Sequence, residues 1–480
     1  MQKFEKKELK KKSQNLSEWY TDVILKAQLA DYAPVKGCMV IRPYGYEIWE
    51  NIQSFLDKLI KEKGIKNAYF PVFIPERFLK LEKEHVEGFS PHFAVVTIAG
   101  GEKLKERLIV RPTSETMMYE MYKEWYQSYR DLPVLINQWN NIVRWEKRTY
   151  LFLRTSEFLW QEGHCAHITH EENLDYVKWA LSVYARMYRE LLAMYGISGV
   201  KSESEKFAGA LKTYAVEFLM PDGKALQGGT SHDLGQNFSQ AFNWTVIDKN
   251  GEKVHPWQNS WGLSTRSIGG LIMVNGDDNG LILPPKVAPI QVVILKIASD
   301  NNIKDVDLFC NQVGQVLHKY GFRFETDGKL SDSVGRRINF WEVKGVPLRC
   351  EIGRHETDSQ SVTLIRRDNF NRVSVSLREL GDFIERILAE MQLAAYVKHK
   401  KFTQDNTHTV DSYQQFKKIM SEKRGFIRAF WCGNKDCEAK IKAETKATTR
   451  VLPLDAKEEE GGCVYCSAKA KYRWYFAQAY

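Results

Sequence analysis

Residues 144–167 read RWEKRTYLFLRTSEFLWQEGHCAH. The preceding run, PVLINQWNNIVRWE at 133–146, alternates apolar and polar residues as far as Glu146, and SEFLWQEGHCAH at 156–167 alternates again. This is the pattern of a strand, a long polar loop and a second strand. The hairpin puts Arg144 on one strand and Arg154 where the loop rejoins the other. A guanidinium donates two parallel N–H bonds to a phosphate or carboxylate, so two such forks on one rigid hairpin can bracket a nucleotide, with Phe158 offering a face to a base. A surface hairpin with solvated charges satisfies the same letters when they are taken alone.

The rest of the chain narrows the classes. At 480 residues, with 43% hydrophobic and 27% charged residues, it has material for two to four domains with substantial cores. The start, MQKFEKKELKKKSQNLSEW, has no apolar centre of the kind a signal peptide needs, and no run is long enough to span a bilayer. A cytoplasmic enzyme with no membrane partner is expected. The net charge of +9 is mild, but Lys and Arg recur beside aromatic residues, which suits a polyanion such as nucleic acid. Eight cysteines without an export signal argue against a disulfide framework.

Working outward from the hairpin, YGYEIWENIQSFLDKLIKEKG predicts an amphipathic helix with Tyr46, Trp49, Ile52, Leu56 and Ile60 on one stripe, ended by Gly64. NAYFPVFIP predicts a strand that Pro71 confines to an edge or a bulge. Residues 85–107, with Gly88, Pro91 and the Gly100/Gly101 pair, read as a loop and a hairpin. RLIVRPTSETMMYEMYKEWY then passes from strand to helix, with Thr113 or Ser114 as the cap. A helix over 170–195 precedes strands across 211–262, separated at Gly228/Gly229, and PPKVAP near 285 marks a boundary. From Ile290 strands and helices alternate as a compact α/β unit to about 396. A charged stretch at 397–424 separates it, as a linker, from the tail at 425–480.

Four segments carry candidate chemistry. In Arg111-Pro112-Thr113-Ser114-Glu115-Thr116 a helix N-terminus and a carboxylate could grip a zwitterionic amino acid, with Glu115 taking the ammonium; a capping motif alone is the alternative. Gln227-Gly228-Gly229-Thr230-Ser231-His232 is a tight turn, or a place where backbone approaches a ligand with Gln227, Thr230 and His232 as polar contacts. WGLSTRSIGGLI, residues 261–272, runs from strand into a small-residue helix, with Ser264 just ahead of Arg266 at the junction. Arg266 could stack on an adenine from the side opposite Phe158. Cys432 and Cys437 are followed by Cys463 and Cys466, a spacing that favours a closed four-thiolate structural zinc site, with reduced metal-free cysteines as the alternative. His164 and His167, three apart on a strand, face opposite ways and hold no second metal.

Taken together and in this order, these segments resemble the class II aminoacyl-tRNA synthetases. The helix from Tyr46 through Pro71 (about 37–75) resembles their dimer-interface motif, RWE through Phe158 (about 140–167) their second motif, and GLSTR (about 260–285) their third. RPTSET, FLWQEGH, LQGGTSH and WGLSTR resemble the prolyl-tRNA synthetases of archaeal and eukaryotic-like type, from about residue 17 to the end. The resemblance implies an α+β catalytic core over 1–285, an antiparallel sheet with flanking helices. An α/β anticodon-binding domain over 286–396 and a small zinc-binding α+β domain over 425–480 would follow.

The resemblance also implies roles. Arg144, Arg154 and Arg266 would be catalytic. Glu146, Phe158, Gln227, Thr230 and Ser264 would join them around ATP and Mg²⁺. Thr113, Glu115, Trp160, Glu162, His164 and His232 would join Arg144 around proline. Glu342 and Arg349, in WEVKGVPLR, would read the guanines of a tRNA(Pro) anticodon, an intramolecular Glu/Arg pair being the other reading of those two residues. A homodimer is implied, with Tyr480 packing back toward the catalytic domain. The turn RTYLF at 148–152 departs from relatives in lacking prolines, and His167–Trp261 is too short for a cis-editing insert. Another class II specificity, a non-catalytic RNA-binding relative and a basic zinc adaptor are the rivals. Only the first two explain residues 1–285, and the second has no need of three arginine forks.

Overall fold

The computed structural model describes residues 9–80 and 93–480; Gly88 and Pro91 lie outside them. An eleven-stranded sheet forms the spine. In spatial order its strands are Thr407–Thr409, Phe426–Phe430, Arg473–Gln478, Ala447–Pro453, Ile197–Val200, Lys212–Leu219, Ala225–Gly235, Trp257–Ser264, Glu157–His167, Val134–Val143 and Lys66–Asn67. From Ala447–Pro453 to Val134–Val143 every pairing is antiparallel. The helix His170–Glu190 packs across one face with Val177, Leu181, Tyr184 and Tyr188 buried. The central hairpin is the predicted one, in register from Val134↔Ala166 to Val143↔Glu157.

The loop of that hairpin is less polar than its sequence suggests. Leu151, Phe152 and Leu153 are buried, the Tyr20 hydroxyl donates to Leu151 O at 2.7 Å, and Tyr20 and Tyr150 pack at 4.7 Å. Three consecutive apolar residues thus pull the loop down onto the helix Leu16–Lys26.

The helix predicted from Tyr46 spans Pro43–Glu62. Pro43 starts it with a preset φ, at a position whose N–H would have no helical partner. Gly64, at φ +86°, follows its end. Trp49, Ile52, Leu56 and Ile60 are buried, whereas Tyr46 is 40% exposed. The stripe is centred one position earlier, on Gly45, where a Cβ would lie 2.2 Å from Leu29 O. NAYFPVFIP is two short strands instead of one: Lys66–Asn67 at the edge of the large sheet and Phe73–Pro75 in a separate three-stranded sheet. Pro71 lacks the N–H a continuous ladder requires.

Gly228 and Gly229 do not form a turn. They lie inside the strand Ala225–Gly235, because the His170–Glu190 helix packs too closely for side chains there. A Cβ on Gly228 would sit 2.7 Å from the Phe218 ring and 2.8 Å from the Tyr188 hydroxyl, and one on Gly229 2.5 Å from Tyr184.

The α/β unit has five strands in the order Phe324–Asp327, Val292–Lys296, Leu348–Ile352, Ser361–Arg366, Arg372–Ser376, the first three parallel. Residues 397–424 are not a linker. The helix Leu380–Asp405 runs through the first part and Tyr413–Glu422 is helical again. His399 and Thr403 are buried within the charged run, and His399 accepts from Tyr195 N (2.9 Å) and bonds Leu219 O (3.0 Å).

The α+β tail also continues the catalytic sheet. Leu452 pairs with Val200 and Pro453 with Gly199, so the two sheets merge. Beneath the seam, Arg450 donates to Glu217 at 2.8 Å and Lys201 to the same carboxylate at 3.0 Å, with Glu217 fully buried. Burial pushes Glu217 up, but Arg450 and Lys201 outweigh it and hold the carboxyl below its usual range. Tyr480 returns as expected: its N–H donates to Ala225 O at 3.2 Å, and Lys224 Nζ lies 4.7 Å from its ring.

Removing one partner of a buried pair leaves an uncompensated charge, at a cost of about 3–5 kcal/mol. Lys201 remains beside Glu217, so Arg450→Met should cost about 3 kcal/mol, the lower end of that range. Native-state hydrogen exchange of amides 447–453 should accelerate accordingly; unchanged protection there would contradict a stabilising role for the pair.

Candidate active site

Side chains alternate along a strand, so Phe158, Trp160, Glu162 and His164 share one face of the Glu157–His167 strand. Register places their neighbours. Thr213, His232, Ser260 and His164 form one row across four strands, Thr230, Gly262, Glu162 and Gln138 another, and Ser264, Trp160 and Asn140 a third. Over these rows lies a cavity of about 280 Å³. Its lining includes Thr113, Glu115, Arg144, Gln227, Arg266 and all the row residues except Gln138 and Asn140, so segments remote in sequence converge on one cleft.

Glu162 is the hub of the cleft floor. Its carboxylate, 2% exposed, accepts from Ser114 Oγ (2.5 Å), Gln138 Nε2 (2.9 Å), Asn140 Nδ2 (2.7 Å) and His164 Nε2 (3.0 Å). Burial alone would push its pKa up, but the bonds from His164, Ser114 and Gln138 outweigh burial and hold it below the usual carboxylate range. Burial opposes charge on His164 too, yet Glu115 and Glu162 raise its pKa. The Thr113 hydroxyl donates to Glu115. Ser114 therefore does not cap the Glu115–Trp125 helix, because its hydroxyl is committed to Glu162. Arg111, in the same corner, holds scaffold: it donates to Asn141 O, Phe70 O and Asn141 Oδ1.

Arg144 donates to Pro112 O at 3.1 Å and stands 5.8 and 5.6 Å from the Phe158 and Trp160 rings. Burial pulls its pKa down to about 10, Glu115 opposes this, and Arg266 adds repulsion. Arg266 is anchored to Leu153 O (3.1 Å) and shifted down by burial, with Arg154 a further repulsive neighbour. Two of the three predicted guanidiniums thus line the cleft. Arg154 stands beside Arg266 outside the lining, 54% exposed and paired to Glu146 at 2.8 Å. Phe158, Gln227, Thr230 and Ser264 all line it. His232 packs on Phe207 at 4.6 Å and bonds the Thr213 hydroxyl at 2.9 Å.

The sequence reading passed over Glu205, Lys206, Phe207, Ser260 and Trp261, all in the lining. The first three sit in KSESEKF, which has no periodicity to betray them. Gly163 marks a close approach on the other face of the sheet, where the Trp261 indole packs with Trp179 and Tyr184; a Cβ there would lie 2.1 Å from the indole. Ser260 Oγ and Trp160 Nε1 have no hydrogen-bond partner among the described residues, which leaves both able to bond a ligand.

Elsewhere, Arg349 donates to Glu342 at 2.8 Å and to Glu351 at 3.0 Å, beside a small hollow lined by Trp341, Arg366 and Phe370. Sulfur ligands of Cys432, Cys437, Cys463 and Cys466 all lie within 4.8 Å of one another, with Cys432 Sγ 3.8 Å from both Cys437 and Cys466. Zinc–thiolate bonds of about 2.3 Å require tetrahedral S···S edges of about 3.8 Å, so the four thiols fit the ion.

Known proteins match along the chain. The tRNA synthetase class II core domain (G, H, P, S and T) matches residues 96–275, the anticodon binding domain 291–387, and the prolyl-tRNA synthetase C-terminal domain 413–480. The proline–tRNA ligase of Natranaerobius thermophilus is 51% identical over 460 residues, 96% of this chain and 95% of that one. That of Alkaliphilus oremlandii is 50% identical over 466 residues, 97% and 96% of the two chains. The crystal structure of prolyl-tRNA synthetase from Cryptosporidium parvum, complexed with halofuginone and AMPPNP, superposes with a TM-score of 0.93 at 41% identity, covering 98% of this chain and 99% of that one. With a cleft built from the expected segments and likeness over nearly its whole length, the chain belongs to the prolyl-tRNA synthetase family.

Proposed function

We infer that the cleft activates L-proline with ATP to prolyl-adenylate and transfers the prolyl group to the 3′ end of tRNA(Pro), acting as a proline–tRNA ligase. The observation that carries this reading is the placing of two half-buried guanidiniums, Arg144 and Arg266, over a pocket floored by Glu162 and His164. The Cryptosporidium relative is complexed with AMPPNP, which supports a nucleotide as a ligand of this chain.

Attack of the proline carboxylate on the α-phosphorus brings two anions together, expelling pyrophosphate. Arg144 bridges the carboxylate and the α-phosphate, lowering that repulsion and fixing the line of attack. Arg266, with Arg154 released from Glu146, holds the outer phosphates and the adenine; Phe158 lies under the base. Glu146 and Ser264 complete the nucleotide contacts, and Gln227 and Thr230 offer oxygens to ATP or to the Mg²⁺ that accompanies it. The proline ring sits among Thr113, Trp160, His164 and His232, with Glu115 receiving its ammonium and Glu162 keeping His164 in place. No covalent enzyme intermediate is required. In the second step a terminal ribose hydroxyl attacks the anhydride and AMP leaves.

Glu342 and Arg349 would turn from each other toward anticodon guanines. The four cysteines would hold zinc structurally, since four thiolates leave no open coordination position. The exposed Val40, Tyr69 and Phe73 fit a homodimer face in the first-motif region. A cytoplasmic site of action belongs to this reading; among the described residues no helix is long and apolar enough to cross a membrane. The short His167–Trp261 segment leaves no room for a cis-editing insert.

Proline-dependent exchange of labelled pyrophosphate into ATP tests the assignment; exchange driven by another amino acid would overturn it. Arg144→Ala should reduce that exchange by about 10³-fold, as removal of a transition-state donor does, with an unchanged circular dichroism spectrum.

His164, with its raised folded pKa, contributes stability below its unfolded value of about 6.5 that is lost as pH rises through the folded value. Glu162 does the reverse, its contribution vanishing as pH falls through its depressed pKa. Glu162→Gln should therefore move the His164 NMR titration to lower pH, and a midpoint that stays put would contradict the coupling. Cys432→Ser should lower zinc, measured by atomic emission, from about one ion per chain and expose residues near 425 to protease, while exchange activity persists.

A further inference from the structure

A second cavity, of about 310 Å³, lies where the N-terminal arm at Lys12, the catalytic segment 274–285 and the helix Leu380–Asp405 meet. None of the residues assigned above lines it. Its wall is largely apolar, built from Val274, Ile282, Leu283, Met391, Ala395 and Phe402.

The polar groups in that wall are mostly donors. Lys12 Nζ donates to Gly276 O at 2.9 Å and lies 4.7 Å from the Trp19 ring. Burial, then the charge of Lys398, pulls its pKa down to about 8, with Asp277 and Asp278 opposing. Lys12 and Lys398 both line the chamber, and the charge of one opposes that of the other. Asn275 is 8% exposed, and its Nδ2 has no hydrogen-bond partner among the described residues. The remaining polar groups are already engaged. Asp368 is held by Arg366 at 3.0 and 2.8 Å, and both ring nitrogens of His399 are bonded. A donor buried without an acceptor and two like charges lining one cavity are each unfavourable, and one anionic acceptor would relieve both.

We propose that this cavity binds a small amphipathic anion, an aliphatic monocarboxylate whose tail fills the apolar chamber and whose carboxylate accepts from Asn275, Lys12 and Lys398. Such a ligand touches the N-terminal arm, the catalytic domain and the helix that closes the anticodon domain, so it tightens the seam between them. The site is independent of the cleft chemistry, and neither reading depends on the other.

Calorimetric titration of the full chain with sodium octanoate tests the proposal, with octylammonium and acetate as controls. Saturable one-to-one binding of octanoate alone is expected, since acetate lacks the tail and octylammonium has the wrong sign. Asn275→Leu and Lys398→Glu should each weaken octanoate binding about tenfold, the loss expected for a charge-assisted hydrogen bond or for a reversed charge. Ala395→Trp should abolish it by filling the chamber, and proline-dependent pyrophosphate exchange in each variant reports that the chain is folded. Absence of saturable octanoate heat, equal binding of octylammonium, or undiminished binding in folded Ala395→Trp would overturn the proposal. Should Ala395→Trp fail to fold, undiminished affinity in both other variants would overturn it equally.

Discussion

A single buried carboxylate organises the cleft. Glu162 receives hydrogen bonds from Ser114, Gln138, Asn140 and His164, groups contributed by three separate segments. An ionised carboxylate taken out of water is very costly unless its oxygens are fully engaged, so this arrangement ties the corner at 112–115 and both hairpin strands to one geometry. His164 gains its raised pKa from the same contact. The floor therefore has fixed charges before any ligand arrives, which spares the reorganisation that a solvated pocket would undergo at the moment of reaction.

The wall above carries charge of the opposite sign. Arg144 and Arg266 are both half-buried and repel each other, with Glu115, Glu162 and Glu146 close enough to offset part of that repulsion. In the proposed reaction a polyphosphate, with the substrate carboxylate beside it, would relieve that repulsion. The buried apex Leu151–Leu153 holds this wall in place, since Leu153 O accepts from Arg266 and the apex is packed into the main core. Arg154, ion-paired and half exposed, is the member of the group with room to move.

The C-terminal module is joined to the catalytic sheet by backbone pairing and by the Arg450–Glu217–Lys201 cluster. Glu217 also acts on Arg266 through space, and Glu205, in the cleft lining, lies within ion-pair distance of Arg450. A region whose cysteines suit a structural metal therefore borders the arginine wall of the cleft through a short chain of charges.

The sequence by itself determined what is periodic or compositional. Alternation in 133–167 set the hairpin, its face and the grouping of Phe158, Trp160, Glu162 and His164, because a strand's period of two leaves no other choice. Cysteine spacing marked the four-thiol cluster, and the alternating elements after Ile290 marked the α/β unit. Tertiary structure decided whatever depended on a partner remote in the chain. Gly228 and Gly229 read as a turn until Tyr184 and Tyr188 came down upon them. Ser114 read as a cap until Glu162 took its hydroxyl, and Glu205–Phe207 carried no signal until folding brought them to the cleft, with Phe207 on His232. Residues 397–405 read as a linker because their charges hide the two buried positions, His399 and Thr403, that keep the helix against the catalytic domain. Local pattern fixes which side of an element is apolar, but which residue meets which across space is set by packing, and packing involves the whole chain at once.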